Sequence, residues 1–222
     1  MREKRALQVS THHLVAFAIT VLWVAPVVWM FVTGLKDQSD TFTRPPEWIA
    51  PFTLSNMENV IADWPFFRWL LNSLFVAGLA TGLSTLLAIL ASYSFARMRW
   101  KGRDVVFMVF LASMLIPWQI NAVPLYFLMD FLNLLNTRIA VVLPIVAMPI
   151  SVFLLRQFFV SVPRELEDTA KIDGLGTMGI IWRVIVAGAL PAISALVVYM
   201  FIFTGNECVW SVVPGRPGAS SV

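Results

Sequence analysis

Residues 163–176 read PRELEDTAKIDGLG, with Arg164, Glu165, Glu167, Asp168, Lys171 and Asp173 packed into one short piece. Apolar runs lie on both sides. Ser161 and Pro163 make a helix start, and Glu165, Glu167 and Asp168 fall in the first turns, where carboxylates face the positive end of the helix dipole. Gly174 stands where a left-handed stop belongs. The spacing predicts a helix of about ten residues, with a second starting near Thr177. Leu166 and Ala170, four apart, are expected to share a face, with Asp173 close to it. A residue as small as Ala170 would let another protein's backbone come near.

Outside that segment the chain is greasy. Of 222 residues 59% are hydrophobic and 13% charged, where soluble domains carry about 25% charged residues. A membrane-spanning helix takes about 20 apolar residues. Five stretches meet or approach that length: Leu14–Leu35, Trp69–Ala96, Val105–Met129, Ile139–Leu155 and Val184–Phe203. Leu14–Leu35 follows MREKR as a signal peptide would, but it exceeds a signal core and no small-x-small cleavage site follows. It reads as an uncleaved first span. The expected fold is an all-α membrane protein with about five transmembrane helices. Residues 1–13 form an N-terminal segment, 14–213 the membrane domain with its polar loop 161–183, and 214–222 a turn-rich tail read as disordered.

Orientation follows from Lys and Arg, which concentrate on the cytoplasmic side of a membrane protein. With the N-terminus inside, eleven of the 16 basic residues are cytoplasmic. The run RMRWKGR at 97–103 decides the matter, and it places 163–176 in the cytoplasm. The long outer segment between Lys36 and Arg68 ends in Trp64, Phe66, Phe67 and Trp69, an interfacial aromatic belt. Gly78 and Gly82 form GxxxG, a close-packing motif.

The net charge of +3 does not point to nucleic acid. A lone Cys208 forms no internal disulfide and has no metal-ligating companions. His12 and His13 read as interfacial, so no metal is expected. No GxxxxGK[ST] occurs, nor any nucleophile–base pattern. No catalytic residue and no cofactor are therefore assigned. A secondary transporter would need ionisable groups within the spans, which these lack.

In the third span Pro117, Trp118, Gln119, Asn121 and Pro124 put amides and helix-breaking prolines together. Two readings fit: a solute path lined by Trp118, Gln119 and Asn121, or interhelical hydrogen bonds and a structural kink. Asn72 and Asn206 are weaker pore-lining candidates.

The charged segment resembles the EAA loop of permease subunits in bacterial ATP-binding-cassette importers: Glu-Ala-Ala, three residues, then Gly. Asp168, Thr169 and Ala170 stand at the first three positions, and Asp173-Gly174 is the strongest match. WLLNSLFVA (69–77), SYSFARMRWKGR (92–103), IPWQINAVPLYFL (116–128), LLNTRIAVVLP (134–144) and FLLRQFFVSVPRELE (153–167) are similar to maltose-type sugar permeases. The resemblance covers about residues 14–210. It implies a bacterial inner-membrane permease subunit that moves a sugar or sugar-like solute inward by alternating access. It implies that Glu165, Leu166, Asp168, Thr169, Ala170, Asp173 and Gly174 dock on an ATPase homodimer. A second permease subunit and an extracytoplasmic solute-binding protein would complete the assembly. The sequence departs from the pattern at Asp168, Thr169, Ala187 and Gly205-Asn206-Glu207, and it lacks the family's sixth span. That last departure raises the alternative of a truncated, non-transporting remnant or scaffold.

Overall fold

The computed structural model describes residues 2–37 and 51–206, with side chains from His12 onward except that of Trp118. Residues 38–50, Glu207, Cys208 and the tail 214–222 lie outside the described residues. Those described form helices and turns with no strand among them. The chain divides into two units, Met1–Phe67 and Arg68–Val222.

The first unit holds α1 (Arg2–Gly34) and α2 (Ser55–Asp63). From His12 to Gly34, α1 is long and apolar enough to cross a membrane. Leu14, Phe17, Leu22 and Trp23 are all more than two-thirds exposed. A helix this apolar on all sides is out of place in water and at home in lipid. Its C-terminal carbonyls are capped from α2. The Asn56 amide donates to Lys36 O at 2.5 Å and to Gly34 O at 3.4 Å. The buried Lys36 ammonium sits 5.3 Å from the centre of the Trp29 ring.

The second unit is built around α3 (Phe66–Arg97), 32 residues without a break. Ala77, Ala80, Thr81, Ser84, Thr85, Ala88, Ser92 and Ala96 recur every three or four positions and are buried. Small residues at that period let neighbouring backbones approach closely. The Ser92 hydroxyl donates to the Val152 carbonyl at 2.8 Å, and the Ser84 and Ser151 hydroxyls lie 3.4 Å apart. Gly78 and Gly82 of the GxxxG motif fall on the exposed face with open space around them. Packing within the chain uses the alanine–serine–threonine face instead.

The third to fifth predicted spans are bent pairs rather than straight helices. α4 (Arg103–Ala112) and α5 (Ala122–Phe131) are separated by two single-turn segments, and the axis bends by 88° there. α6 (Arg138–Val146) and α7 (Pro149–Ser161) meet at 40°. α9 (Thr177–Gly188), which contains a π-helical turn at Ile181–Ile185, meets α10 (Leu190–Gly205) at 83°. Proline accounts for the position of each break. Ile116 and Met148, which precede Pro117 and Pro149, are extended, as the proline ring forces. Pro149 and Pro191 then sit in the first turn of the new helix, where a missing N–H costs nothing. If each bent pair counts as one span, the described residues hold five. Between α7 and α9 lies α8 (Arg164–Ile172).

Candidate functional site

Helix α8 ends in a Schellman turn. Gly174 N donates to Lys171 O at 3.0 Å and Leu175 N to Ala170 O at 2.9 Å, with Gly174 at φ +80. Those two bonds satisfy carbonyls that the helix end would otherwise leave open. The residue after the glycine, Leu175, packs partly buried against the cluster that includes Ala170. The predicted stop and the restart at Thr177 stand where the sequence put them. The predicted start is met by Pro163 without a side-chain cap.

One side of α8 packs inward, through Glu167 and Ala170. Ala170 is 5% exposed, whereas Leu166 is 51% exposed. The expectation of an accessible Ala170 sharing a face with Leu166 is therefore corrected: Ala170 is small because its own chain packs against it. Opposite the buried side lie Glu165, Thr169 and Ile172, all exposed. At 86%, Ile172 is more exposed than any other large apolar residue described. Nothing in the sequence pattern singles it out. Asp168, Asp173 and Gly174 are exposed as well. Lys171 Nζ lies 2.9 Å from Asp168 Oδ1. That hydrogen bond, reinforced by the charge, holds the Asp168 carboxyl below its ordinary range and raises Lys171 in turn.

Glu167, a first-turn carboxylate in the sequence, is the buried charge of α8, and its partner was not found from the sequence. Its Oε1 lies 2.9 Å from Nε of Arg97, the last residue of α3, and the two side chains are 8% and 4% exposed. Nε and Oε1 meet as charges without hydrogen-bond alignment. Direction comes from the flanks: Arg97 Nη2 donates to the Val162 carbonyl, and the Tyr93 hydroxyl stands 3.5 Å from Glu167 Oε2. Removing one partner of such a buried pair costs about 3–5 kcal/mol, because the other charge is left stranded.

The helix breaks open a cavity of about 450 Å³. Ser113, Pro117, Gln119 and Asn121 line it from the α4–α5 break, Met148 and Pro149 from the α6–α7 break, and Phe203 from α10. Irregular backbone at membrane depth is tolerated where it lines such a cavity. Gln119 and Asn121 are thus brought to one place. Asn72 is elsewhere, accepting a hydrogen bond from Arg138. Asn206 ends α10 exposed and off the cavity, although Phe203 one turn earlier is on it.

Comparison with known proteins agrees with this architecture. Residues 84–220 match the family described as binding-protein-dependent transport system inner membrane component. The sulfoquinovosyl glycerol transport system permease protein of Agrobacterium fabrum is 33% identical over 198 residues, which are 87% of this chain and 69% of that protein. The lactose transport system permease protein of Rhizobium radiobacter is 32% identical over 209 residues, 93% of this chain and 74% of that one. A diacetylchitobiose uptake system permease protein of Streptomyces coelicolor is 28% identical over 211 residues, covering 94% and 76%. A bacterial ABC transporter involved in the import of the acidic polysaccharide alginate superposes with a TM-score of 0.82 at 21% identity. The match covers 98% of this chain and 77% of that one, a likeness of fold.

Proposed function

The chain belongs to the family of binding-protein-dependent transport system inner membrane components, and from that premise we propose that it carries a sugar or sugar-like solute inward by alternating access. It is a transport permease of an ABC importer and not an enzyme. The ATP is hydrolysed on a separate homodimeric subunit, a second permease completes the pore, and an extracytoplasmic binding protein delivers the solute. The N-terminus and α8 face the cytoplasm. Glu165, Leu166, Asp168, Thr169, Asp173 and Gly174 offer the ATPase its surface, with Ile172 added and Ala170 supporting them from behind.

The observation that carries this reading is α8 itself. A nine-residue polar helix lies between two bent spans, stopped at a left-handed glycine, holding a buried carboxylate inward and Ile172 outward. A solvated loop needs neither an ordered stop nor an apolar tip. The cavity at the helix breaks, with its amides and Phe203, supports a path for a polar solute. The names of the relatives support a sugar as its class.

The test is crosslinking in native membranes. A Cys208→Ser chain carrying Ile172→Cys is expected to form a disulfide-dependent adduct with an ATPase subunit bearing a cysteine in its docking groove. No adduct at Ile172, Leu166 or Thr169 would overturn the docking role.

A further inference from the structure

We propose that Arg97 and Glu167 are a positioning pair, which makes α8 and α3 one rigid lever and carries the ATPase stroke to the wall of the solute cavity. The proposal rests on the docking role of α8 given above.

The pair joins three elements at one guanidinium. Arg97 ends α3, Glu167 belongs to α8, and the Val162 carbonyl that Arg97 also engages lies in the link from α7 to α8. Without it, α8 would be held by the packing of Ala170 and Leu175 and by two bends, one at Pro163 and one at Gly174. Both bends could flex and absorb a push. With it, a push on α8 enters α3, which runs unbroken, whereas the three bent pairs among the described residues turn by 40° to 88°. From α3 the motion has a short way to go. Ser92 bonds the Val152 carbonyl, and Ser84 faces Ser151 on α7. Ser151 directly follows Ile150, which lines the cavity beside Met148 and Pro149. Coupling across such distances needs contiguous packed elements of this kind. A pair meant only for stability has a simpler alternative, since buried ion pairs are often replaced by apolar residues without loss.

The experiment uses the assembled importer in proteoliposomes, with Cys208→Ser and Gln119→Cys as a reporter and a membrane-impermeant maleimide outside as the probe. ATP and vanadate enclosed in the lumen, on the side that carries the ATPase subunits, are expected to increase labelling of Gln119→Cys. In Glu167→Gln that increase falls about tenfold, while the Ile172→Cys adduct with the ATPase forms as before. The reversed pair Arg97→Glu with Glu167→Arg recovers part of the increase, a rescue that needs the two charges to meet. Full nucleotide-dependent labelling in Glu167→Gln would overturn the proposal, as would a loss that the reversed pair never recovers although that variant assembles. Should Glu167→Gln fail to fold, Arg97→Lys keeps the charge but loses the fork that spans Glu167 and Val162. It is expected to weaken the response, and a normal response would overturn the proposal. Absence of the Ile172→Cys adduct in the unaltered pair would count against the docking reading instead.

Discussion

Asn72 Oδ1 accepts a hydrogen bond of 2.6 Å from the guanidinium of Arg138, whose charge lies 5.2 Å from the centre of the Phe75 ring. This ties the first turns of α3 to the start of α6. Asn72, a weaker pore-lining candidate in the sequence, joins two helix ends through this contact. Asn72→Ala is expected to lower the melting temperature of the purified complex slightly, since the contact is exposed, and to leave the half-saturating solute concentration unchanged. An increased half-saturating concentration at unchanged melting temperature would return Asn72 to the pore.

Gly174 holds φ +80 with open space where a Cβ would stand. The cost of Gly174→Ala is therefore backbone strain alone, about 1–2 kcal/mol. Gly176, two residues on, has φ −74 and equally open space, so Gly176→Ala stays within about 0.5 kcal/mol. Denaturation midpoints of the two variants, measured side by side, check the contrast. Equal effects would mean that the left-handed stop does not matter.

Ala170 and Ile172 stand on opposite sides of α8 and should fail in opposite ways. Ala170→Leu overfills a packed site and is expected to cost about 1–3 kcal/mol of stability. Ile172→Asp touches nothing inward and is expected to leave the melt unchanged while reducing capture of the ATPase subunit on co-purification. Loss of capture with neither variant, at normal folding, would remove α8 from the interface.

The Asp168–Lys171 contact has a defined pH window. Asp168 is lowered from its ordinary 3.8, so its contribution is complete above that value and disappears as pH falls through the lowered one. Lys171 is raised from 10.5, so its contribution is complete below that value and disappears as pH rises through the raised one. Across neutral pH the pair is constant. Asp168→Asn should therefore give a pH-independent difference in ATPase affinity between pH 5 and pH 9. A slope in that range would assign the titration to another group.

Much of this was legible before any coordinates, for identifiable reasons. The Schellman stop was readable because only glycine takes φ +80 at low cost, and Gly174 is placed for it. The first two spans were readable because length and apolarity suffice. The breaks were only half readable. Pro117 marks where Ile116 turns extended, whereas no break was expected from the sequence at Pro149, and bends of 88° and 83° depend on what the freed segments pack against. The inward side of α8 was misread at Ala170 because a small residue fits equally well beneath a helix or beneath a partner. The partner of Glu167 was not found because Arg97 is seventy positions earlier, and no local pattern joins them.

The cavity separates the two readings of the third-span amides. Gln119 and Asn121 line it together with Ser113, whose hydroxyl is already donated to the Phe110 carbonyl at 2.6 Å. Among the described residues the two amides are side chains on the cavity that can both donate to and accept from a solute hydroxyl, with Phe203 as an aromatic surface nearby. If they meet the solute, Gln119→Ala and Asn121→Ala each remove about 0.5–1.5 kcal/mol of hydrogen bonding. The half-saturating concentration then rises about 2- to 12-fold, with the melting temperature held. If instead they only bind neighbouring helices, the melt falls and the half-saturating concentration does not move. Asn206→Ala is the matched control, because Asn206 is exposed and off the cavity. Uptake of the radiolabelled sugar into cells carrying each variant gives the first quantity, and thermal unfolding of the purified complex gives the second. A rise for Asn206→Ala as large as for Asn121→Ala would place the solute path away from the helix breaks.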